Sequence, residues 1–297
     1  QYTLYWLLQI LSHGVTQKKA WVLLKPIFEN LLQHLVFPLL CPLNEILDIY
    51  DNEPHEYINL RFDVYYENGS PDLAALGFLE TLVSKRPKTT LSPIVTFAYT
   101  KLTETVNAPE ETLEVAKQKE AALRLIGNVS HYVINPNSQY YSQMEGFVAN
   151  LIVPNFKSNF DFVRTRAFEV VLKFADLEFE NSPVIGLIFQ GITDNFNSSK
   201  SLPVNFICSL VIQAYLGNNQ FEEALGQIIL PTILRLLELS EEIDNDAILA
   251  VMQDCVEAYS EQLQPFGVDL MSKLVQQFLR LAQEIKESLA NIDDANF

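Results

Sequence analysis

Apolar residues recur three or four places apart along almost the whole chain, in long stretches separated by prolines, glycines and polar breaks. That period places them on one face of an α-helix. The stretch Ser158–Leu177 shows the pattern best. Phe160, Val163, Ala167, Val171, Phe174 and Leu177 make one stripe, and Phe168, Leu172 and Ala175 widen it, so this helix packs on more than one neighbour. Asp161, Arg164, Glu169, Lys173 and Asp176 fall largely outside the stripe. Ser158, three places before Asp161, reads as a capping-box start.

The same reading predicts helices over 2–13, 21–40, 55–65, 72–85, 90–105, 109–133, 140–156, 183–196, 202–216, 221–239, 245–263 and 265–289. An irregular acidic connector is expected over 42–54, and a polar tail over 291–297. Taken as hairpins, the first helices begin near 71, 111, 159, 202 and 246. The roughly 40–48-residue spacing is that of two-helix HEAT or armadillo repeats. A proline recurs inside second helices, in Val36-Phe37-Pro38-Leu39, Ile152-Val153-Pro154-Asn155 and Ile229-Leu230-Pro231-Thr232. The expected fold is therefore all-α, an α-solenoid of antiparallel helix pairs in one array over 1–297. Six pairs are expected, at 1–41, 53–106, 110–156, 158–197, 201–240 and 245–290. Each hairpin needs its neighbours to bury its stripe.

Composition fits this reading. The chain has 297 residues, 48% of them hydrophobic, and only 10 glycines, which favours a long helical array over sheets. Gln1 is not a start residue and 1–14 already reads as helix, so a piece of a longer protein is expected. The formal net charge of −17 is uneven: residues 201–297 hold 15 acidic and 4 basic side chains, whereas residues 1–50 hold three of each. Such an excess repels nucleic acid and attracts basic proteins, and it also serves solubility. Cys41, Cys208 and Cys255 are widely spaced, as expected of a reduced chain. The uncharged stretch 201–221 is interrupted by Asn205, Ser209, Gln213 and Gly217, so a buried helix is expected there and not a membrane span. The sequons at Asn68, Asn128 and Asn197 carry little weight in a cytosolic chain.

No catalytic set emerges. His34 and Cys41 lie seven apart on one helix face, but two ligands do not make a zinc site. His13, His55 and His131 are isolated, and no phosphate loop of the G-x-x-x-x-G-K type occurs. Carboxylate pairs such as Glu110-Glu111, Glu222-Glu223 and Glu241-Glu242 favour helix beginnings or solvated faces. Neither an enzyme nor a cofactor or metal site is expected. Glu104, Glu145, Asp194, Glu222, Glu223, Glu238, Asp269 and Glu284 are instead candidates to meet a basic partner from second helices. Arg164 and Arg166 are read either as pointing towards a partner or, the blander reading, as making a salt bridge or carbonyl contact between adjacent repeats.

Residues 34–86 carry more than a generic repeat. His34–Cys41 (HLVFPLLC) is followed by the acidic linker and by Glu53-Pro54-His55-Glu56-Tyr57-Ile58-Asn59. Then come Phe62-Asp63, the Ser70-Pro71 helix start and Ser84-Lys85-Arg86. This block resembles the importin-β (karyopherin) superfamily, most of all its importin seven and importin eight branch. Asn59 departs from the arginine usual there. The similarity continues through Ala121–Gly127, Arg164–Ala167 and Tyr259–Glu261. It implies a nuclear import receptor that shuttles between cytoplasm and nucleus, with basic protein cargo such as ribosomal proteins held on second helices. It also implies FG nucleoporins bound between first helices, and Ran GTPase bound mainly by repeats outside this stretch, with Ran-GTP releasing cargo. Direct nucleic-acid or membrane binding is not implied. The alternatives are an export receptor for importin-α of the same superfamily and a non-transport HEAT scaffold. An acidic loop known in the family would begin near Asp293-Asp294.

Overall fold

A computed structural model describes residues 2–62, 69–179, 182–196, 199–243 and 245–294. All regular structure among them is helical. The chain divides into two compact units, Gln1–Tyr215 and Leu216–Phe297. The first contains α1 (Tyr2–Thr16), α2 (Lys18–Leu24), α3 (Phe28–Leu31), α4 (Phe37–Leu40), α5 (Asn44–Asn52), α6 (Pro54–Phe62), α7 (Pro71–Lys85), α8 (Pro87–Val106), α9 (Leu113–Asn128), α10 (Ser130–Val133), α11 (Tyr141–Phe147), α12 (Asp161–Lys173), α13 (Ser182–Phe196) and α14 (Leu202–Ala214). The second contains α15 (Asn219–Gly226), α16 (Ile229–Glu242), α17 (Asp246–Ala258), α18 (Ser260–Leu263) and α19 (Gly267–Asp294).

In the first unit, helices α1, α7, α9, α12 and α14 pack each on the next in a row. From α7 on, their starts match the repeat positions expected from the sequence. The second helices α8, α11 and α13 line the row, and α8 and α13 meet through the segment that follows α11. This two-row arrangement is that of a HEAT solenoid. The row is where the core sits. Phe78, Leu79, Ile126, Phe168, Val171, Phe206 and Ile207 are all essentially inaccessible. In the second unit, α16 packs on α17 and both touch α18, around Phe221, Leu236, Leu239, Ile248, Val251 and Cys255.

The recurring proline has a local consequence in two of its three places. A widened (π) turn at Leu32–Val36 precedes Pro38, and another at Val148–Ile152 precedes Pro154. Proline lacks an N–H and its ring clashes with the carbonyl four residues back, so the hydrogen-bond ladder shifts register just before it. Pro231 instead sits in the first turn of α16, where no donor is needed. The helix expected over 221–239 is accordingly broken at Gln227-Ile228. Likewise Pro26 lies in a tight turn, Lys25–Ile27, inside a helical run that already begins at Lys18, so it does not start the helix.

Three further expectations are corrected. The stretch 42–54 is not irregular, because it contains α5. Glu110 and Glu111 precede the next helix without entering it, and Thr112 caps α9 by accepting the Val115 N–H at 3.3 Å. Ser158 does not form a capping box with Asp161. Its hydroxyl accepts the Phe160 N–H at 3.2 Å and donates to Glu111 at 2.9 Å, while Asp161 pairs with Arg164.

Together α5 and α6 form a strap across the row. Tyr50 is buried, and its hydroxyl lies 2.8 Å from both Thr165 Oγ1 on α12 and Ser201 Oγ before α14. Tyr50 and Tyr57 stack edge-on, Ile58 is fully buried, and Phe62 meets Phe206 on α14. Farther along, Arg86 donates to the Val15 carbonyl at 3.0 Å and lies over the Trp21 ring, joining the end of α7 to α1 and α2.

Gly191 is where α13 meets the preceding repeat most closely. A Cβ there would collide with the Phe156 ring, which is stacked flat on Phe168 with centroids 4.2 Å apart. On the same helix, Gly186 has nothing within 4 Å. Gly191→Ala is therefore expected to destabilise by about 1–3 kcal/mol through overpacking. Gly186→Ala should stabilise by about 0.5–1 kcal/mol through helix propensity. Urea denaturation of both variants reads the two signs; a gain in both would remove the close-approach argument.

Candidate functional site

Exposed, unpaired charge can meet a partner, whereas buried and paired charge holds the scaffold. Much of the charge in the first unit is of the second kind. Arg166 on α12 is buried, and its Nε and Nη2 both lie 2.8 Å from Glu120 Oε1 on α9. Its Nη1 pairs with Glu169, which also takes Lys173 Nζ at 2.8 Å. One repeat earlier, Asp72 at the start of α7 accepts Arg61 of the strap and Arg124 of α9, each at 2.8 Å. Glu111 receives Lys119 Nζ at 2.6 Å and the Asn159 N–H at 2.9 Å, tying the loop before α9 to the loop before α12.

These arrangements set the titration of the groups. Burial alone would raise the Asp72 carboxyl, but Arg124 and Arg61 hold it well below the carboxylate range. Burial likewise opposes ionisation of Glu169, yet Arg166 and Lys173 bring it down to about 2. Burial would lower the Arg166 guanidinium, and Glu169, Glu120 and Tyr57 reverse that. Burial pushes the Tyr57 phenol up. The thiols move the same way: burial pushes Cys41 up to about 11, Cys255 up to about 12 and Cys208 well above its ordinary value. Thiols held protonated in this way are poor nucleophiles and poor ligands.

Of the two sequence readings of Arg166, the salt bridge between repeats is where it lies. Lys119, Glu120 and Arg124 were missed. The available signal was their place inside the apolar run of α9, between Ala116 and Ile126, where a solvated side chain has no room.

The candidate partner-binding carboxylates are scattered by comparison. In the first unit, Glu104 on α8 holds Lys101 at 2.8 Å, Glu145 on α11 is half-buried, and Asp194 on α13 is exposed and accepts Gln190 Nε2 at 2.5 Å. In the second unit, Glu222 and Glu223 begin α15, behind the Asn218 cap that accepts the Phe221 N–H at 3.1 Å. The Glu222 carbonyl receives the Tyr259 hydroxyl at 3.0 Å. Glu238 on α16 is paired with Arg235 at 3.0 Å but is 66% exposed. Arg235 also reaches Glu242, and Arg280 of α19 pairs with Glu241. Asp269 is exposed in the first turn of α19, whereas the Glu284 side chain lies outside the described residues.

The structure thus brings Glu238 and Glu241 of α16 together beside Lys273 and Arg280, while Glu242 on the same helix reaches Arg235. It leaves Glu222 and Asp269 in the first turns of their helices, where the helix dipole favours them. Single carboxylates here are weak anchors. What reaches a partner is the summed field of an acidic excess concentrated in residues 201–297. Among the described residues no helix is long and apolar enough to cross a membrane.

The depressed Glu169 carboxyl gives an acid-stability prediction. Its folded pKa of about 2 lies below its ordinary 4.5, so the unfolded chain binds more protons in that window. The contribution is fully present above about pH 4.5 and is lost as pH falls towards about 2. Denaturant midpoints followed from about pH 6 to about pH 2.5 should fall less steeply in Glu169→Gln than in the parent. Superimposable slopes would show that the carboxylate contributes nothing.

No family model matches the chain. Curated relatives align over nearly all of it. The Saccharomyces cerevisiae protein named Nonsense-mediated mRNA decay protein 5 is 40% identical over 296 residues, 99% of this chain and 28% of that protein. Importin-8 of Danio rerio is 29% identical over 284 residues, 95% of this chain and 27% of the relative. The Probable importin-7 homolog of Dictyostelium discoideum is 24% identical over 286 residues, 95% of this chain and 26% of the relative. The chain spans little more than a quarter of the length of these relatives.

Proposed function

The chain belongs to the importin-β superfamily, and from that premise we propose that it is part of a nuclear import receptor that carries basic protein cargo. The observation that carries the cargo reading is the acidic excess of residues 201–297, 15 acidic side chains against 4 basic. Such a field attracts a cationic protein over distances longer than any one ion pair and repels nucleic acid. Within it Glu222, Glu223, Glu238, Asp269 and Glu284 are the proposed contacts, with Glu145 and Asp194 supplementing them from the first unit. A basic partner that takes Glu238 or Glu241 must compete with Arg235 and Arg280, whereas Glu223 is exposed and Asp269 lies exposed in the first turn of α19. Ribosomal proteins have the required charge.

Ran-GTP is proposed to bind mainly outside this stretch and to release cargo by coupling through the array, because packed helix rows transmit small changes of curvature. FG nucleoporins are the proposed partners at the pore. The receptor then cycles between cytoplasm and nucleus.

Binding to a basic ribosomal protein and to an acidic control, at about 50 and about 300 mM salt, tests this reading. Tight binding of the basic protein alone, weakened at least about tenfold at the higher salt, is expected, as is a further loss in a Glu222→Lys, Glu223→Lys, Asp269→Lys variant. Absence of binding at low salt would overturn the cargo assignment. Tighter cargo binding when Ran-GTP is added to the longer receptor would assign export instead.

A further inference from the structure

We propose that the stacked turns α1–α2 and α7–α8 form a binding surface for a short acidic segment of a partner protein, held by Lys18, Lys19, Lys85 and Lys88. The observation behind it is a segregation of charge in a chain that has 37 acidic and 20 basic side chains. Residues 1–28 carry three lysines and no carboxylate, and residues 81–103 carry four basic side chains and no carboxylate. The surface does not rest on the cargo reading, which concerns the acidic excess of residues 201–297, and it calls for a partner of the opposite charge.

The fold brings the two segments together. Arg86 follows the end of α7, and its Nε donates to the Val15 carbonyl at 3.0 Å while its Nη2 lies 3.5 Å from the Thr16 carbonyl. Its guanidinium also covers the Trp21 ring, 5.6 Å from the centroid. Arg86 thus commits its charge to the last carbonyls of α1 and holds one turn against the other. Lys18 and Lys19 come just after the braced carbonyls, and Lys85 and Lys88 flank Arg86. All four are exposed, and among the described residues none of them is ion-paired. The nearest carboxylate on α7, Glu80, is occupied by the Tyr132 hydroxyl at 2.8 Å and by His131 at 3.7 Å.

Two ordinary reasons for a surface lysine do not cover this set. A cation in the last turn of a helix meets the negative end of the helix dipole, which accounts for Lys85 on α7. Lys88, however, lies in the first turn of α8, and Lys18 and Lys19 lie in that of α2. There a cation opposes the dipole, and neither first turn has an acidic residue to offset it. Solubility is the other reason, but it follows the magnitude of the net charge, and in a chain at −17 each lysine reduces it. These positions are unfavourable for the chain alone and favourable with an anion beside them.

The size of the surface selects the partner. Packed helices lie about 8–10 Å apart, a distance that an extended peptide crosses in about three residues. Two carboxylates at about that separation therefore reach both turns. A long polyanion such as RNA, or an anionic membrane, extends past the turns and meets the remainder of a chain whose net charge is −17. A short acidic segment presents its charge to the lysines alone, within the roughly 8 Å over which charge is felt at physiological salt.

The probe is a fluorescein-labelled peptide of about eight residues with two pairs of glutamates about three residues apart, compared with its glutamine analogue by fluorescence anisotropy. The full chain should bind the acidic peptide, and the analogue at least about tenfold more weakly. Binding of the acidic peptide should weaken between about 50 and about 300 mM salt. Lys18→Gln with Lys19→Gln, and Lys85→Gln with Lys88→Gln, should each weaken it about fivefold. Lys157→Gln with Lys200→Gln removes the same amount of charge from exposed positions before α12 and α14, and should change it less than about twofold. Circular dichroism melts confirm that these exposed positions leave the fold intact. No binding of the acidic peptide at low salt would overturn the proposal, as would equal binding of the glutamine analogue. So would equal losses in all three lysine pairs, which would show that only overall charge is sensed. A single-stranded RNA of about ten nucleotides, or an anionic vesicle, bound more tightly than the peptide and through the same four lysines would overturn the peptide assignment and give the surface to that polyanion.

Discussion

The buried guanidinium of Arg166 is the constraint on which the first unit turns. A charge withdrawn from water in a helical core is tolerable only when paired and hydrogen-bonded, since an orphaned partner costs about 3–5 kcal/mol. Arg166 meets that demand with one carboxylate from the neighbouring first helix, Glu120, and one from its own, Glu169. Helices α9 and α12 therefore have little freedom to slide: a shift of one turn would leave Glu120 and Arg166 both buried and apart. Apolar stripes alone would accept such a slip, because leucine packs nearly as well on the next leucine. The ion pairs add register to an interface that hydrophobic burial makes merely adhesive.

The strap of α5 and α6 belongs to the same arrangement. It sets Tyr57 beside Arg166, gives Arg61 to Asp72 and bridges α12 to the start of α14 through the Tyr50 hydroxyl. One short segment thus ties together helices from several successive repeats. Since Arg61 and Arg124 share a single carboxylate oxygen of Asp72, strap and row stand or fall together. In a repeat array, where each unit ordinarily touches only its neighbours, a segment of this reach raises cooperativity across repeats.

Variation is left to the second helices and to the surface. The prolines that shift the hydrogen-bond ladder lie on that side, and so does Gly146. These are positions where regular packing is relaxed, and grooves open beside α8 there. The acidic excess is concentrated farther along the chain, on helices whose individual carboxylates have local partners or favourable helix ends. The division is physical: paired charge inside fixes the scaffold, and unbalanced charge outside acts at a distance.

The sequence by itself determined the helical class, the repeat period and the positions of the first helices. These follow from the spacing of apolar residues, a local property written every three or four places. It also determined the acidic imbalance, which is a matter of counting, and the family likeness carried by 34–86. Tertiary structure alone decided that 44–52 is a helix, because α5 has few buried residues of its own and is held by Tyr50 reaching Thr165 and Ser201 far along the chain. It alone decided that Glu120 and Arg124 are interior, that Glu111 reaches forward to Asn159 without capping a helix, and that Gly191 answers to the Phe156 ring while Gly146 answers to nothing. The outcomes at Glu120, Arg124, Glu111 and Gly191 each depend on a partner dozens of residues away, and hydrophobic periodicity carries no information about which distant side chain will be across the interface.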